Sequence, residues 1–143
     1  MASKLYGQFL LKALNKEVDF DTDTIKVALL TSSYTPNQDT HDYFNDVSAN
    51  EVSGTGYTAG GNTLASKTAT YDSGTNVIVL DAADVTWASS TITARYAVVY
   101  DSTGTASTSA LIGYVDFGSD QSSTNGNFTI TWDSTGIVRI TVA

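Results

Sequence analysis

Asp19, Asp21 and Asp23 stand two residues apart in the stretch "DFDTDT", the spacing with which a calcium-binding helix–loop–helix hand begins. Such a hand needs glycine at its sixth loop position, where the chain turns sharply, and a bidentate glutamate at its twelfth. Counted from Asp19, those positions are Thr24 and Leu30, and the second half of the loop is the apolar run "IKVALL". The hand is therefore incomplete. Aspartates also favour turns, because their side chains bond nearby backbone amides. Here they end a helical segment and start a strand-forming one. Three neighbouring carboxylates repel one another, so a weak cation site at Asp19, Asp21 and Asp23 stays compatible with the sequence.

Other motifs resemble chemistry and stop short of it. "GTGYTAGG" places glycines at 54, 56, 60 and 61, not at the G-x-G-x-x-G spacing of a phosphate-cradling loop. A wide turn that needs glycine at positive φ accounts for them. Asp72-Ser73-Gly74-Thr75 matches the tetrad of aspartic proteases, in which two carboxylates share one proton. The preceding Thr70 and Tyr71 are not the strongly apolar residues that bury such a pair, and the tetrad lies between two alternating runs, where it also makes a good hairpin turn. His41 is the single histidine, no G-x-S-x-G elbow is present for a nucleophilic serine, and no H-E-x-x-H pair is present for zinc. His41 reads as a polar residue of a short helix or loop. Arg95 and Arg139 read as partners of aspartates. The sequence thus assigns no catalytic, cofactor-binding or metal residue, and the chain reads as a non-enzyme.

Composition narrows the classes further. A chain of 143 residues suits one domain, residues 1–143, and a domain of this size buries about 70% of its unfolded surface without staples. It contains no cysteine, which excludes disulfides and thiolate metal sites. The first residues lack the uninterrupted apolar stretch and small-residue cleavage motif of a signal peptide, since Gln8 and Lys12 interrupt them. No run approaches the roughly 20 apolar residues of a membrane span. Fifteen acids against seven bases give a net charge of −8. Nucleic acid and anionic membranes need a basic stripe, so neither is expected as a partner.

The elements that must position these residues follow from periodicity. Leu5, Phe9, Leu10, Ala13 and Leu14 recur at steps of three and four and predict a helix over about 3–16, with Ser3 as its N-cap. From about residue 24 to 142 the chain reads as strands. These are "TIKVALLTS" (24–32), "LASKTATYD" (64–72), "VIVLD" (77–81), "DVTWAS" (84–89), "TARYAVVYD" (93–101), "ALIGYVDFG" (110–118), "GNFTITW" (126–132) and "IVRITVA" (137–143). A polar stretch at 34–52 leaves room for a short helix around 39–47. Phe128, Ile130 and Trp132 alternate with Thr129 and Thr131, which places all three inside. Short strands separated by Gly, Ser, Asn and Asp predict a mainly β fold, an antiparallel β-sandwich or jelly-roll-like barrel with one N-terminal α-helix.

Long phrases carry a resemblance that runs through nearly the whole chain in one order. "DFDTDTIKVALLTSSYTPNQDTHDYFNDV", "NEVSGTGYTAGG", "DVTWASSTITARYAVVYDSTGTASTSALIGYVDFG" and "SSTNGNFTITWDSTGIVRITV" resemble a family of small structural proteins of tailed double-stranded DNA phages. The resemblance implies a virion component without catalytic residues. Its leading form is a head decoration, or cement, protein, assembled in the host cytoplasm onto the outer head surface. It would act as a symmetric homo-oligomer that clamps the major capsid protein of the same phage. Its first helix, with Leu5, Tyr6, Phe9 and Leu10, would pack on its own sheet or dock on the shell. The alternative is a tail or fibre component that contacts the host surface, with exposed Tyr, Trp and Asp as glycan-binding groups. An acidic surface suits either place, outside a DNA-filled shell.

Overall fold

The computed structural model describes residues 2–142. It contains eight strands, β1 (Ala2–Leu5), β2 (Ile25–Leu30), β3 (Asn62–Thr63), β4 (Thr68–Asp72), β5 (Val77–Asp81), β6 (Val85–Asp101), β7 (Leu111–Ile130) and β8 (Val138–Thr141), with one helix, α1 (Phe9–Leu14). They form two antiparallel sheets, one ordered β1-β7-β6-β2-β3 and the other β4-β5-β8. The architecture is a β-sandwich with one N-terminal helix, and the sheets do not close into a barrel.

The core has two compartments. Ile25, Val27 and Leu29 point from β2 into the larger one, which also holds Trp87, Ile112, Phe128 and Ile130 of the long strands and Leu80 and Val138 of the small sheet. Ala28 and Leu30 point the other way, into a second cluster with Tyr6, Tyr34, Phe44, Val47, Tyr96, Val98 and Tyr100. The polar-looking segment between β2 and β3 supplies Tyr34, Phe44 and Val47 and covers this second face. Burial on both faces explains why "IKVALL" is apolar without alternation.

Several boundaries differ from the sequence reading. The expected helix over 3–16 is a strand followed by one short helix. β1 pairs with β7, Ala2 against Asp116 through Leu5 against Gly113, and Ser3 lies in this strand rather than capping a helix. The short helix expected at 39–47 is a pair of single 3₁₀ turns, Phe44–Asp46 and Ser48–Asn50. Four expected strands are two long ones, β6 and β7, which pair from Val85–Ile130 to Tyr100–Leu111. The Gly, Ser and Asn residues that read as breaks sit instead at bulges of one ribbon. Trp132 lies beyond the end of β7, half-buried at the rim of the core rather than inside it, and its Nε1–H donates to the carbonyl of Ala83 over 3.1 Å.

β7 is also sharply bent. From Tyr96–Asp116 to Ala94–Gln121, the ribbon advances two residues on β6 (96 to 94) and five on β7 (116 to 121). Gly118 takes a left-handed φ of 82° within the extra length, a conformation that costs little only without a Cβ. The bend brings Phe117 and Phe128 to 6.1 Å between ring centroids. Eleven residues of straight strand would hold them roughly 36 Å apart.

Candidate functional site

The three spaced aspartates form the turn that leads into β2. The Asp19 amide donates to Asp23 Oδ2 over 2.8 Å and the Asp23 amide donates to the Asp19 carbonyl over 2.9 Å. Hydrogen bonds from Asp21 and Thr22 hold the Asp19 carboxyl below its ordinary range. Among the described residues, no group of three or more His, Asp or Glu side chains is arranged to hold a metal ion. Phe20, between the acids, is buried in the larger core, so the turn is also an anchor.

A residue outside the motif joins this cluster. Asp101 ends β6 and is only 4% exposed. Burial first, and the neighbouring Asp23 carboxyl second, push its pKa up to about 7. Lys67 opposes part of that rise, and its ammonium donates to the Asp23 carbonyl. The sequence signal was weak, because Asp101 opens "DSTG" and reads as a turn former.

The glycine-rich loop is clamped to its own sheet. Tyr57 Oη donates to Glu51 Oε1 over 2.6 Å and accepts from the Leu29 amide over 3.0 Å. The Gly60 amide also donates to Glu51 Oε1, over 2.6 Å, and Tyr100 Oη donates to the Gly60 carbonyl over 2.7 Å. A Cβ on Gly61 would stand 1.8 Å from the Val27 carbonyl oxygen, and one on Gly54 would stand 2.4 Å from that of Thr91. These glycines admit the chain's own backbone.

Asp72 lies at the end of β4 in the turn of the β4–β5 hairpin. Its Oδ1 accepts from the Gly74 amide over 2.8 Å and its Oδ2 from Thr75 Oγ1 over 2.7 Å. These bonds, the Thr75 hydroxyl first, lower its pKa, and both oxygens are engaged within the turn. His41 lies in a loop with Nδ1 3.0 Å from Tyr34 Oη, which in turn is 2.7 Å from Tyr6 Oη. Arg95 grips Asp116 at 2.7 and 3.3 Å, the expected pairing. Arg139 instead donates to the Thr135 carbonyl over 3.0 Å. An aspartate partner was expected there, but the turn after β7 offers a carbonyl within closer reach.

The surface feature that stands out is α1. Phe9 pins it into the core, while Leu10, Leu11 and Leu14 are 42%, 55% and 82% exposed. At about 100° per residue these three occupy one outward arc. Lys12 locks the other side. Its ammonium lies 3.3 Å from Glu17 Oε1, 3.6 Å from Asp42 Oδ2 and 3.4 Å from the Tyr43 ring centroid. Burial favours its neutral form, but hydrogen bonding to Tyr43 and Glu17 prevails and raises its pKa. The leucines therefore stand on a fixed mount. The sequence reading placed Leu10 and Leu14 in the apolar stripe and did not single out Leu11; the helix has only six residues, and Phe9 and Lys12 take its buried side.

Two concavities of about 430 Å³ each flank β7. One opens between β1 and the segment 130–139, over a floor that includes Ile112 and Val138 with Lys4, Asp133 and Arg139 among its lining residues. The other lies inside the bend of β7, between Phe117, Gln121 and Ser122 on one arm and residues 127–131 on the other. No family model, no curated protein and no solved structure matches this chain.

Proposed function

We propose that this chain is a structural protein of a tailed-phage virion, acting as a decoration protein on the outer head surface. The observation that carries the reading is the leucine knob of α1. Exposed apolar groups that sit together on a rigid element mark interaction surfaces, and Leu10, Leu11 and Leu14 sit together on an otherwise acidic, hydroxyl-rich protein. The compact sandwich, with β2 buried on both faces, supplies a body that survives outside a cell. The resemblance of the sequence phrases to phage structural proteins supports the same assignment.

Docking buries the knob in a joint between neighbouring capsid subunits, and a symmetric oligomer presents several knobs at once. Each bound copy stabilises the shell by mass action, because it binds the assembled lattice and not dispersed subunits. The test is binding of the purified protein to intact capsids. Saturation at a number that matches a lattice symmetry site is expected, with weak binding to isolated capsid subunits. Replacing Leu11 and Leu14 with Asp should abolish binding while leaving the unfolding temperature close to the parent's, since both side chains are exposed. A protein that ignores capsids and labels tail tips or host cells would overturn the reading in favour of a host-contact role.

A further inference from the structure

We propose that the concave bend of β7 is a binding groove for a neutral oligosaccharide. The groove is a product of the fold, because the bulge at 117–120 folds one strand back until Phe117 meets Phe128. Its volume of about 430 Å³ falls within the range of small-ligand sites. Phe128 and Ile130 are buried beneath it and Phe117 is half-buried at its wall. The other residues that line it are Gln121, Ser122, Asn127, Thr129 and Thr131.

None of the residues lining the groove is charged, in a chain with 22 charged side chains and a net charge of −8 (15 acids and 7 bases). A charged ligand would find no counter-charge there. A sugar offers the matching pattern, with hydroxyls that donate and accept and a C–H face that packs on an aromatic wall. The amides have capacity for it. Gln121 uses its Nε2 on Ser119, leaving its Oε1 unengaged, and Asn127 makes no side-chain hydrogen bond among the described residues. Thr129 Oγ1 is held 2.9 Å from Thr86 Oγ1, which fixes one hydroxyl in place. None of the Tyr, Trp and Asp side chains expected for glycan contact takes part. The inference stands apart from capsid docking, since α1 contributes nothing to the groove.

The test is an NMR titration of the isolated protein with maltohexaose, cellohexaose and chitohexaose, and with oligogalacturonate as the anionic control. At least one neutral probe should saturably shift the resonances of Gln121, Ser122, Asn127 and Thr129 at concentrations up to the order of 10 mM. The anionic probe should leave them unmoved, and raising the salt concentration should not weaken the neutral probe. Phe117→Ala should weaken binding about tenfold or more. Asn127→Asp, an exposed change that keeps the fold, should do the same by placing a charge in the groove. If no neutral probe shifts these resonances, if the shifts map elsewhere, if the anionic probe binds better, or if Asn127→Asp binds like the parent, the proposal fails.

Discussion

Tyr57 reaches from the glycine-rich loop to Glu51, donating a hydrogen bond of 2.6 Å while accepting one from the Leu29 amide on β2. One hydroxyl thus ties loop, carboxylate and central sheet together. Its burial, with Glu51 beside it, raises its pKa far above the ordinary phenol range, so it stays a donor at any working pH. Tyr57→Phe leaves the Leu29 amide without its acceptor and Glu51 with only the Gly60 amide as a donor. The expected cost is about 1–3 kcal/mol, measured by chemical denaturation, with faster hydrogen exchange confined to residues 53–61 and to Leu29.

Asp101 makes stability depend on pH in an unusual direction. Its carboxyl titrates near 7 when folded, against 3.8 as an ordinary aspartate. The folded state therefore holds a proton that the unfolded chain releases, and this contribution is present at mild acid and is lost as pH rises through 7. Asp19, Asp72, Asp116 and Asp133 are shifted the other way. Their contribution is lost only as pH falls below the ordinary aspartate range, a separate window. Between pH 4 and 7 the slope belongs to Asp101, with Asp23, Asp19 and Lys67 as its charged neighbours. The melting temperature should rise on acidification from neutral pH, as stability gains at most about 1.4 kcal/mol per pH unit. Asp101→Asn should flatten that slope, as thermal melts across the range would show.

The two tryptophans should separate by burial. Trp87 is 2% exposed and packs on Tyr57 and Phe128. Trp87→Ala should cost on the order of 3–5 kcal/mol. Its Nε1–H has no partner among the described residues, and an unsatisfied buried donor is itself a cost, so Trp87→Phe should lose much less than Trp87→Ala. Trp132→Ala, at the rim, should cost clearly less than Trp87→Ala, with urea unfolding as the readout. Equal costs would mean that the indole of Trp132 closes the core as fully as that of Trp87.

Calcium should not matter to folding. The Asp23 carboxylate accepts from the Asp19 amide, the Asp19 carboxyl is held by Asp21 and Thr22, and burial raises the Asp101 pKa to about 7. Melting curves with millimolar calcium and with chelator should coincide. A native-state ligand at about 100 times its dissociation constant adds about 2.7 kcal/mol, so an upward shift of several degrees would show a metal site at this turn.

What was legible in the sequence was what local patterns decide. The hairpin turn at Asp72, the burial of Phe128 and Ile130 and the mainly β class all follow from turn chemistry and alternation; an aspartate partner for Arg95 was expected, but not which one. β1 was hidden because Leu5 and Phe9 stand at a helical spacing that straddles a strand, Gly7 and the start of α1. Only pairing with residues 113–116 makes it a strand, a tertiary effect that overrides propensity. The second core was hidden because Tyr34, Phe44 and Val47 are too sparse to form a period. The groove in β7 depends on a bulge whose Gly, Ser and Asn residues look like any loop. Asp101 acquires its pKa first from burial in the folded core and then from Asp23, distant in sequence, and no local window holds either.

The pairing of β1 with β7 also has a temporal consequence. Ala2 leaves the ribosome well before its partner Asp116, which is synthesised 114 residues later (116 − 2). Until then β2 has neither of its covering layers complete and β1 has no strand to join. The dominance of contacts between residues far apart in sequence marks a slow folder. Nascent chains of this protein therefore carry an uncovered, largely apolar β2 until β6 and β7 have been synthesised, an interval in which intermolecular strand pairing is the main hazard. Yield in the host should respond more to translation rate and chaperone supply than to the stability of the finished sandwich.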